Sequence, residues 1–485
     1  MALVGGILKW LLLSLLFLLV AVFIVRAWQA MRGPPLEPWH THVPAEPSAA
    51  EIDRLDWTQW VDAERRLFEA TARVMAERLP ADARIPQNRY WPEAPMHPAR
   101  LPTDWNRSFT LEPDGEATGA VVLLHGLTDS PYSLRHVGRL YEARGWHVVA
   151  VRLPGHGTVP AGLTAAGTEQ WLAATRLAVR EARRRAGPDR PLHIAGYSNG
   201  AALALIHALD ALETPAIGRP DRILLVSPMI GLTPFARFTG LAGWPAFLPA
   251  FARAAWLDTI PEYNPFKYNS FPVKAGAEAH RLTVLLSQRM DRAASANRLS
   301  ALPPILAFQS VVDSTVSTPA VISGLFDRLP EGGHELVLFD INRAAYVGPL
   351  LRRSSGAAID RLIPTSARRY RTTLVANRAA NDPAVEVRSW PPGASAPEIE
   401  PLGIDYPRNI FSLSHIALPF PPSDGLYGTD PDPADNQGVA LGALATRGEN
   451  GQLAVSPASL MRLSSNPFFP WMLGRIDRTL ADPTR

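Results

Sequence analysis

Residues 196–200 read GYSNG and contain Ser198, the serine whose surroundings best fit a nucleophile. An apolar run at 191–195 precedes this stretch and a run of small and apolar residues at 201–206 follows it, which predicts a strand, a sharp turn and a helix. Such a turn holds the Ser198 hydroxyl outward, and the glycines at 196 and 200 let strand and helix pass closely. The alternative is a chance match of five common residues.

A serine hydroxyl is a weak nucleophile near neutral pH, so Ser198 needs a base and a carboxylate that orients the base. Asp313 follows a predicted strand at 304–309 and is favoured as the acid over its rival Asp340, at the end of the next predicted strand. The alternative for Asp313 is a cap on the helix predicted from Thr318.

Only two of the twelve histidines, His334 and His415, follow Asp313 in the chain. His334 opens a predicted strand, which places it at the opposite edge of a parallel sheet from the strand ends. His415 is therefore the candidate base, against the alternative of a solvated histidine in a polar loop.

The stretch HGLT at 125–128 follows a buried strand predicted at 120–124. Backbone N–H groups at such a strand end can face a reacting carbonyl, and we expect the oxyanion to be held by the N–H groups of Leu127 and Asn199. His125 itself need not titrate. The alternative is an ordinary turn from strand to loop.

The candidate nucleophile, acid and base occur in the order Ser198, Asp313, His415, which is the order of the α/β-hydrolases and not of the familiar protease folds. The chain resembles carboxylesterases and monoacylglycerol lipases of that superfamily over residues 107–230 and 302–420. The matching stretches are HGLTDSP at 125–131, RLPGHGT at 152–158, GYSNG at 196–200, VDSTV at 312–316 and SH at 414–415. In such enzymes the position of His156 shapes the site without transferring a proton.

The elements that must position these residues alternate along the chain. Strands are predicted at 120–124, 146–153, 191–195, 221–226, 304–309 and 335–341, with helices at 134–145, 168–186, 199–212 and 318–329. This rhythm predicts an α/β fold: a mainly parallel sheet with helices on both faces, over residues 107–420. Residues 109–111 and 120–124 are predicted to form a hairpin.

Two insertions interrupt this rhythm. Residues 231–302 are aromatic and rich in proline, and we interpret them as a lid over the site because they follow a strand end. An ordinary packing subdomain is the alternative. Residues 343–409 form a second insertion to which the sequence assigns no role. Residues 421–485 are a tail that ends in a predicted helix at 468–480.

The first 30 residues are predicted to be a transmembrane anchor, because Lys9 is the only charged side chain between Ala2 and Val25. A proline-rich linker and a helix at 51–79 fill residues 31–106. A single-pass anchor with the catalytic domain in the periplasm or outside the cell is expected. A cleaved signal peptide is the alternative.

Composition narrows the function classes. A formal charge of +3 without an aromatic-interleaved basic run argues against nucleic acid as a partner. Because the chain has no cysteine, thiolate nucleophiles, disulfides and cysteine metal sites are excluded. No metal or cofactor is implied.

The sequence therefore predicts a membrane-tethered serine hydrolase that cleaves a carboxylic ester through an acyl-enzyme. The resemblance, the lid and the anchor together favour a lipid-like substrate such as a monoacylglycerol or lysophospholipid. A thioesterase, amidase or aminopeptidase would use the same residues. A non-catalytic binding protein with this fold is the alternative from another class.

Overall fold

The structure is a computed structural model that describes residues 2–231, 243–345, 362, 367–444 and 453–481. Its strands are β1 (Phe109–Leu111), β2 (Gly119–Leu124), β3 (Trp146–Val151), β4 (Leu192–Tyr197), β5 (Arg222–Val226), β6 (Trp256–Asp258), β7 (Phe271–Pro272), β8 (Ile305–Ser310), β9 (Glu335–Phe339), β10 (Arg371–Asn377), β11 (Ala384–Trp390) and β12 (Glu398–Asp405). Ten of them form one sheet in the order β1-β3-β2-β4-β5-β8-β9-β10-β11-β12, while β6 pairs with β7.

The centre of the large sheet is parallel, from β3 across to β10. Every residue of β2, β4, β5, β8 and β9 is buried, as continuous apolar runs covered on both faces require. The α/β-hydrolase fold class is confirmed. Because parallel strands end together, the segments that follow β2, β4 and β8 meet at one rim.

Helices cover both faces of this sheet. The α-helices of the described residues are α1 (Ala2–Arg32), α2 (Pro38–Thr41), α3 (Ala49–Arg54), α4 (Trp57–Arg78), α5 (Arg135–Ala143), α6 (Thr168–Ala186), α7 (Asn199–Glu213), α8 (Val273–Ser295), α9 (Thr318–Gly324), α10 (Pro457–Leu460) and α11 (Phe469–Ala481). Alternate residues of β2 enter two separate cores: Val122 packs with residues of α6 to α8, and Val121 packs with residues of α5 and α11.

Two local predictions are wrong. β1 pairs antiparallel with β3 instead of forming a hairpin with β2, because both edges of β2 are occupied by β3 and β4. The single helix predicted at 51–79 is two helices, α3 and α4. Asp56 separates them because its side chain accepts from the Gln59 N–H and thereby starts α4.

The second insertion extends the sheet. β10 joins the edge beside β9 in parallel, and β11 and β12 follow as antiparallel strands. Residues 346–361 and 363–366 of this insertion lie outside the described residues. The first insertion supplies β6, β7 and α8, while residues 232–242 of the predicted lid lie outside the described part. The domain boundaries given by the sequence remain predictions.

The N-terminal helix α1 is long and apolar enough to cross a membrane over Lys9–Arg32, with a mean hydropathy of 2.6. Length and composition alone do not distinguish an anchor from a signal sequence. Its last turns contact the first insertion: the Arg26 guanidinium donates to the Trp256 carbonyl at 2.8 Å.

Candidate active site

Ser198 occupies the turn between β4 and α7, with φ 54° and ψ −110°. A serine rarely adopts positive φ, so surrounding contacts must hold the strained backbone. The Ser198 N–H donates to the Val226 carbonyl at 2.9 Å, and the Ser198 carbonyl accepts from the Met229 N–H at 3.2 Å. The strand end of β5 therefore fixes the turn from both sides.

The glycines that flank the serine are required by space. A Cβ atom at Gly196 would lie 2.4 Å from the Gly200 carbonyl oxygen, and one at Gly200 would lie 2.0 Å from the Leu124 carbonyl oxygen. Both neighbours are backbone atoms, which a side-chain rotation cannot move away. The close passage of strand and helix that the sequence predicts is present.

Asp313 and His415 are hydrogen-bonded, with 2.8 Å between Asp313 Oδ2 and His415 Nδ1. Asp313 Oδ1 accepts from the N–H groups of Thr315 and Val316 at 2.8 and 3.0 Å. Burial acts to raise the pKa of Asp313, but His415 and these two N–H groups outweigh it and hold the pKa below its usual value. An ionised carboxylate thus orients the imidazole.

Asp340, the rival acid, is occupied elsewhere. Its carboxylate accepts from the Ile341 N–H and from the Arg343 side chain, each at 2.8 Å. His334 lies at the opposite end of the sheet, where its ring accepts from the Ile305 N–H. Neither residue lines the cavity that contains Ser198.

The second insertion does not displace His415, because its two ends are joined. Asn342, fully buried, donates through its side chain to the carbonyls of Pro407 and Ile410 at 2.9 Å each, and its N–H donates to the Phe411 carbonyl at 2.7 Å. The chain enters the second insertion after β9 and returns from it at almost the same place. The segment that carries His415 therefore begins beside the rim.

Ser198 and His415 line one cavity of about 590 Å³. Tyr197 contacts His415, since its hydroxyl donates to the His415 carbonyl at 3.3 Å and the two rings lie 5.3 Å apart. Among the described residues, no hydrogen bond joins the Ser198 hydroxyl to His415. Such bonds are often long in unliganded sites and shorten when substrate binds.

The loop after β2 lies against the nucleophile turn. A Cβ at Gly126 would lie 3.1 Å from the Tyr197 ring, and Leu127 lines the cavity. His125 donates from Nδ1 to the Gly126 carbonyl at 2.9 Å while its Nε2 accepts from the Leu153 N–H. Because a trans peptide directs its C=O and N–H oppositely, this bond points the Leu127 N–H away from His125.

The N–H groups of Leu127 and Asn199 donate to no backbone carbonyl among the described residues. Asn199 begins α7, where the first N–H groups have no partner within the helix and the helix dipole favours negative charge. Both groups therefore remain available to an oxyanion.

His156 is neutral and buried. Burial lowers its pKa to about 3, and its Nδ1 contacts the carbonyls of Leu153 and Pro154 at 3.2 Å each. Its ring packs against His125 at 4.9 Å, edge to face. This environment shapes the loop beside the cavity.

One cluster of possible metal ligands occurs in the described chain: His136, Asp424 and Asp435. Its carboxylates pair with Arg135, at 2.8 Å for Asp424 and 2.5 Å for Asp435. None of the four lines the cavity with Ser198. The cluster ties the C-terminal tail to α5.

Sequence reasoning missed two cations in the cavity wall, Lys267 and Arg462. Lys267 is one of three lysines in the chain, beside Lys9 and Lys274, and this rarity was the available signal. Arg462 lies in the tail and carries no comparable signal, because only the folding of the tail against the rim brings it to the site.

Residues 115–336 match the family Hydrolase_4, described as serine aminopeptidase, S33. The resemblance to the α/β-hydrolases is confirmed over this part of the chain. No curated protein matches the chain by sequence.

Several solved structures superpose on about half of the chain. A metagenome-derived lipolytic enzyme shares 21% identity over 54% of this chain and 99% of its own, with a TM-score of 0.39. A monoglyceride lipase from Saccharomyces cerevisiae shares 14% sequence identity over 48% of this chain and 82% of its own, with a TM-score of 0.37. The monoacylglycerol lipase of Paleococcus ferrophilus shares 17% sequence identity over 48% of this chain and 88% of its own, with a TM-score of 0.35. Likenesses this distant carry no argument about the substrate.

Proposed function

We propose that this chain, a serine hydrolase of the α/β-hydrolase superfamily, cleaves a carboxylic ester through an acyl-enzyme on Ser198. The observation that carries the proposal is the hydrogen-bonded pair Asp313–His415 in the wall of the same cavity as the strained Ser198 turn. A strained serine beside an oriented imidazole is the arrangement that activates a hydroxyl.

In the proposed reaction, His415 accepts the Ser198 proton as the hydroxyl attacks the ester carbonyl. The N–H groups of Leu127 and Asn199 hold the tetrahedral oxyanion, and Asp313 stabilises the imidazolium. His415 then protonates the leaving alcohol, and the acyl group stays on Ser198. Water, deprotonated by His415, attacks the acyl-enzyme and releases the acid while Ser198 regains its proton.

A lipid-like acyl group fits the apolar part of the cavity. Met229, Leu257, Phe271 and Ile416 contribute apolar wall, and α8 turns the small residues Gly276 and Ala279 toward the same space. Burying a methylene group is worth about 0.8 kcal/mol, so each added carbon that enters this wall should strengthen binding.

We further propose that α1 anchors the enzyme in a bilayer, with the catalytic domain in the periplasm or outside the cell. The end of α1 holds the first insertion through Arg26 and Trp256, and Leu257 in the same strand β6 lines the cavity. The insertion, proposed as a lid, would then lie where a membrane-derived substrate arrives. Processing to a shorter soluble form in cells would instead support a signal peptide.

A fluorophosphonate probe tests the enzyme assignment. Labelling of the wild type and not of Ser198→Ala is expected, because the probe reacts with activated serines. Absence of labelling in folded wild-type protein would favour a binding protein.

Hydrolysis of p-nitrophenyl esters of rising chain length tests the substrate class. A rise in kcat/KM from acetyl to octanoyl is expected, since the apolar wall binds the added methylenes. A preference for acetyl contradicts the lipid-like substrate, and amide or thioester substrates cleaved faster than matched esters would favour the alternatives with the same residues.

A further inference from the structure

Two positive side chains face the cavity that contains Ser198 and His415. Lys267 comes from the first insertion and Arg462 from the tail, and no aspartate or glutamate is among the described residues that line the cavity. Neither cation forms an ion pair with a described carboxylate. Two like charges brought to one partly dry space repel each other, which is costly unless an anion occupies the space.

Arg462 is held beside the loop that carries Asp313. Its guanidinium donates to the Thr315 hydroxyl at 2.5 Å, and the Thr315 N–H donates to Asp313 at 2.8 Å. The guanidinium is therefore held by the loop that orients His415. In the proposed reaction His415 protonates the leaving alcohol, so a group on that alcohol would enter the cavity whose wall contains both His415 and Arg462.

Lys267 faces a buried carboxylate without pairing with it. Burial raises the pKa of Asp129 to about 6 although the charge of Lys267 opposes the rise. Burial lowers the pKa of Lys267, Asp129 counteracts this effect, and Arg462 is near enough to lower the pKa further. Asp129 therefore offsets part of the cost of burying the Lys267 ammonium, and Arg462 adds to that cost.

We infer that Lys267 and Arg462 bind a phosphate group on the alcohol portion of the ester, which makes the substrate an acylated alcohol phosphate of the lysophospholipid class and not a neutral monoacylglycerol. This inference rests on the proposed function. A phosphate monoester carries close to two negative charges near neutral pH, matching the two cations. A guanidinium also binds phosphate oxygens in a fixed two-point geometry.

Paired kinetics test this assignment. Dodecanoylglycerol 3-phosphate and dodecanoylglycerol, each in the same non-ionic micelles, differ only in the phosphate. Wild type is expected to show the higher kcat/KM on the phosphate ester. Lys267→Met and Arg462→Met should each lower that value about 10- to 100-fold, as the loss of a charged hydrogen bond implies. In each variant the loss on the neutral ester should be smaller than the loss on the phosphate ester, since no charged contact is made to the neutral ester.

Lys274→Met is the matched control, because Lys274 donates to the Ala165 carbonyl and does not line the cavity. It should leave both substrates unaffected. Equal losses on both substrates in the Lys267 and Arg462 variants would mean that the cations only support the fold, and a wild-type preference for the neutral ester would also overturn the inference.

A binding measurement separates this inference from the proposed function. Calorimetry on Ser198→Ala protein, with dodecyl phosphate, dodecyl hemisuccinate and inorganic phosphate, needs no turnover. Tight binding of dodecyl phosphate that Arg462→Met weakens supports the site, even if no ester is hydrolysed. Equal binding of the hemisuccinate would overturn the choice of phosphate, and equal binding of inorganic phosphate would overturn the assignment to a lipid headgroup.

Discussion

The turn at Ser198 and the segment at His415 meet in one cavity but are built in different ways. The turn is made by five consecutive residues, and side chains at its two glycines would strike backbone atoms of the turn itself and of Leu124 in β2. The segment at His415 depends on contacts with Asp313 and Asn342, which lie 102 and more than 60 residues away. A local motif can be specified by neighbouring residues, whereas the position of His415 depends on contacts between segments that are far apart in the chain.

The largest effect is expected at the turn itself. Ser198→Ala should reduce ester turnover about a million-fold, because the covalent route is lost while binding and the oxyanion site remain. Turnover of an octanoyl ester and thermal unfolding of the same preparation give the measurement and its control. Residual activity above one hundredth of wild type, in a normally folded variant, would contradict the role of Ser198.

A smaller loss of activity is expected when the candidate acid, Asp313, is changed. Asp313→Asn is expected to lower kcat about ten-thousand-fold, since the amide keeps the shape but favours the wrong imidazole tautomer. Asp340→Asn serves as the comparison, and only a minor change in kcat is expected because Asp340 pairs with Arg343 instead. If the two variants exchanged these results, Asp340 would be the acid.

Asn342 tests whether joining the ends of the insertion positions the base. Asn342→Ala should lower kcat up to about 100-fold, since small misplacements of reacting groups have effects of that size. The lost buried hydrogen bonds should also cost about 1–3 kcal/mol of stability. Asn381→Gly is the control, because Asn381 is exposed in the β10–β11 turn and has φ 66°, which glycine adopts readily. Unchanged kcat in a destabilised Asn342→Ala protein would restrict Asn342 to a role in folding.

A pair of glycine substitutions measures how tightly the turn is packed. Gly200→Ala should destabilise the fold by about 1–3 kcal/mol or more, because its new Cβ would meet the Leu124 carbonyl oxygen. Gly474→Ala in α11 meets no atom within 4 Å and should stabilise the protein by up to about 1 kcal/mol through helix propensity. Chemical denaturation measures the free energy of unfolding of both variants, and equal changes would contradict a steric requirement for glycine at position 200.

A pH-dependent effect is expected in β4, the strand that delivers Ser198. Burial lowers the pKa of His193 to about 3, so the folded protein keeps this imidazole neutral while the unfolded chain protonates it near 6.5. The contribution of His193 to the free energy of unfolding is therefore complete above about pH 6.5. It falls as the pH decreases toward 3, by at most about 1.4 kcal/mol per pH unit. His193→Gln should reduce the pH dependence of the free energy of unfolding between pH 6.5 and 4. The same slope in the variant and the wild type would show that His193 is not the cause of this pH dependence.

The histidines show where sequence reasoning succeeds and where it stops. Chain order and strand ends were enough to favour His415 over His334, because parallel strands end at a common edge. The same reasoning paired β1 with β2, since neighbours in sequence often pair, and it missed that both edges of β2 were occupied. The new strands β10 to β12 were also hidden, because their mixed composition resembled that of a loop.

The sequence by itself determined the fold class, the serine turn and the order of the candidate nucleophile, acid and base, because apolar periodicity and glycine sterics act over short stretches. Only the tertiary structure decided that the ends of the second insertion meet at Asn342 and that Lys267 and Arg462 share a wall with Ser198. Those positions arise from packing between segments far apart in the chain, for which local residue patterns carry no distance information.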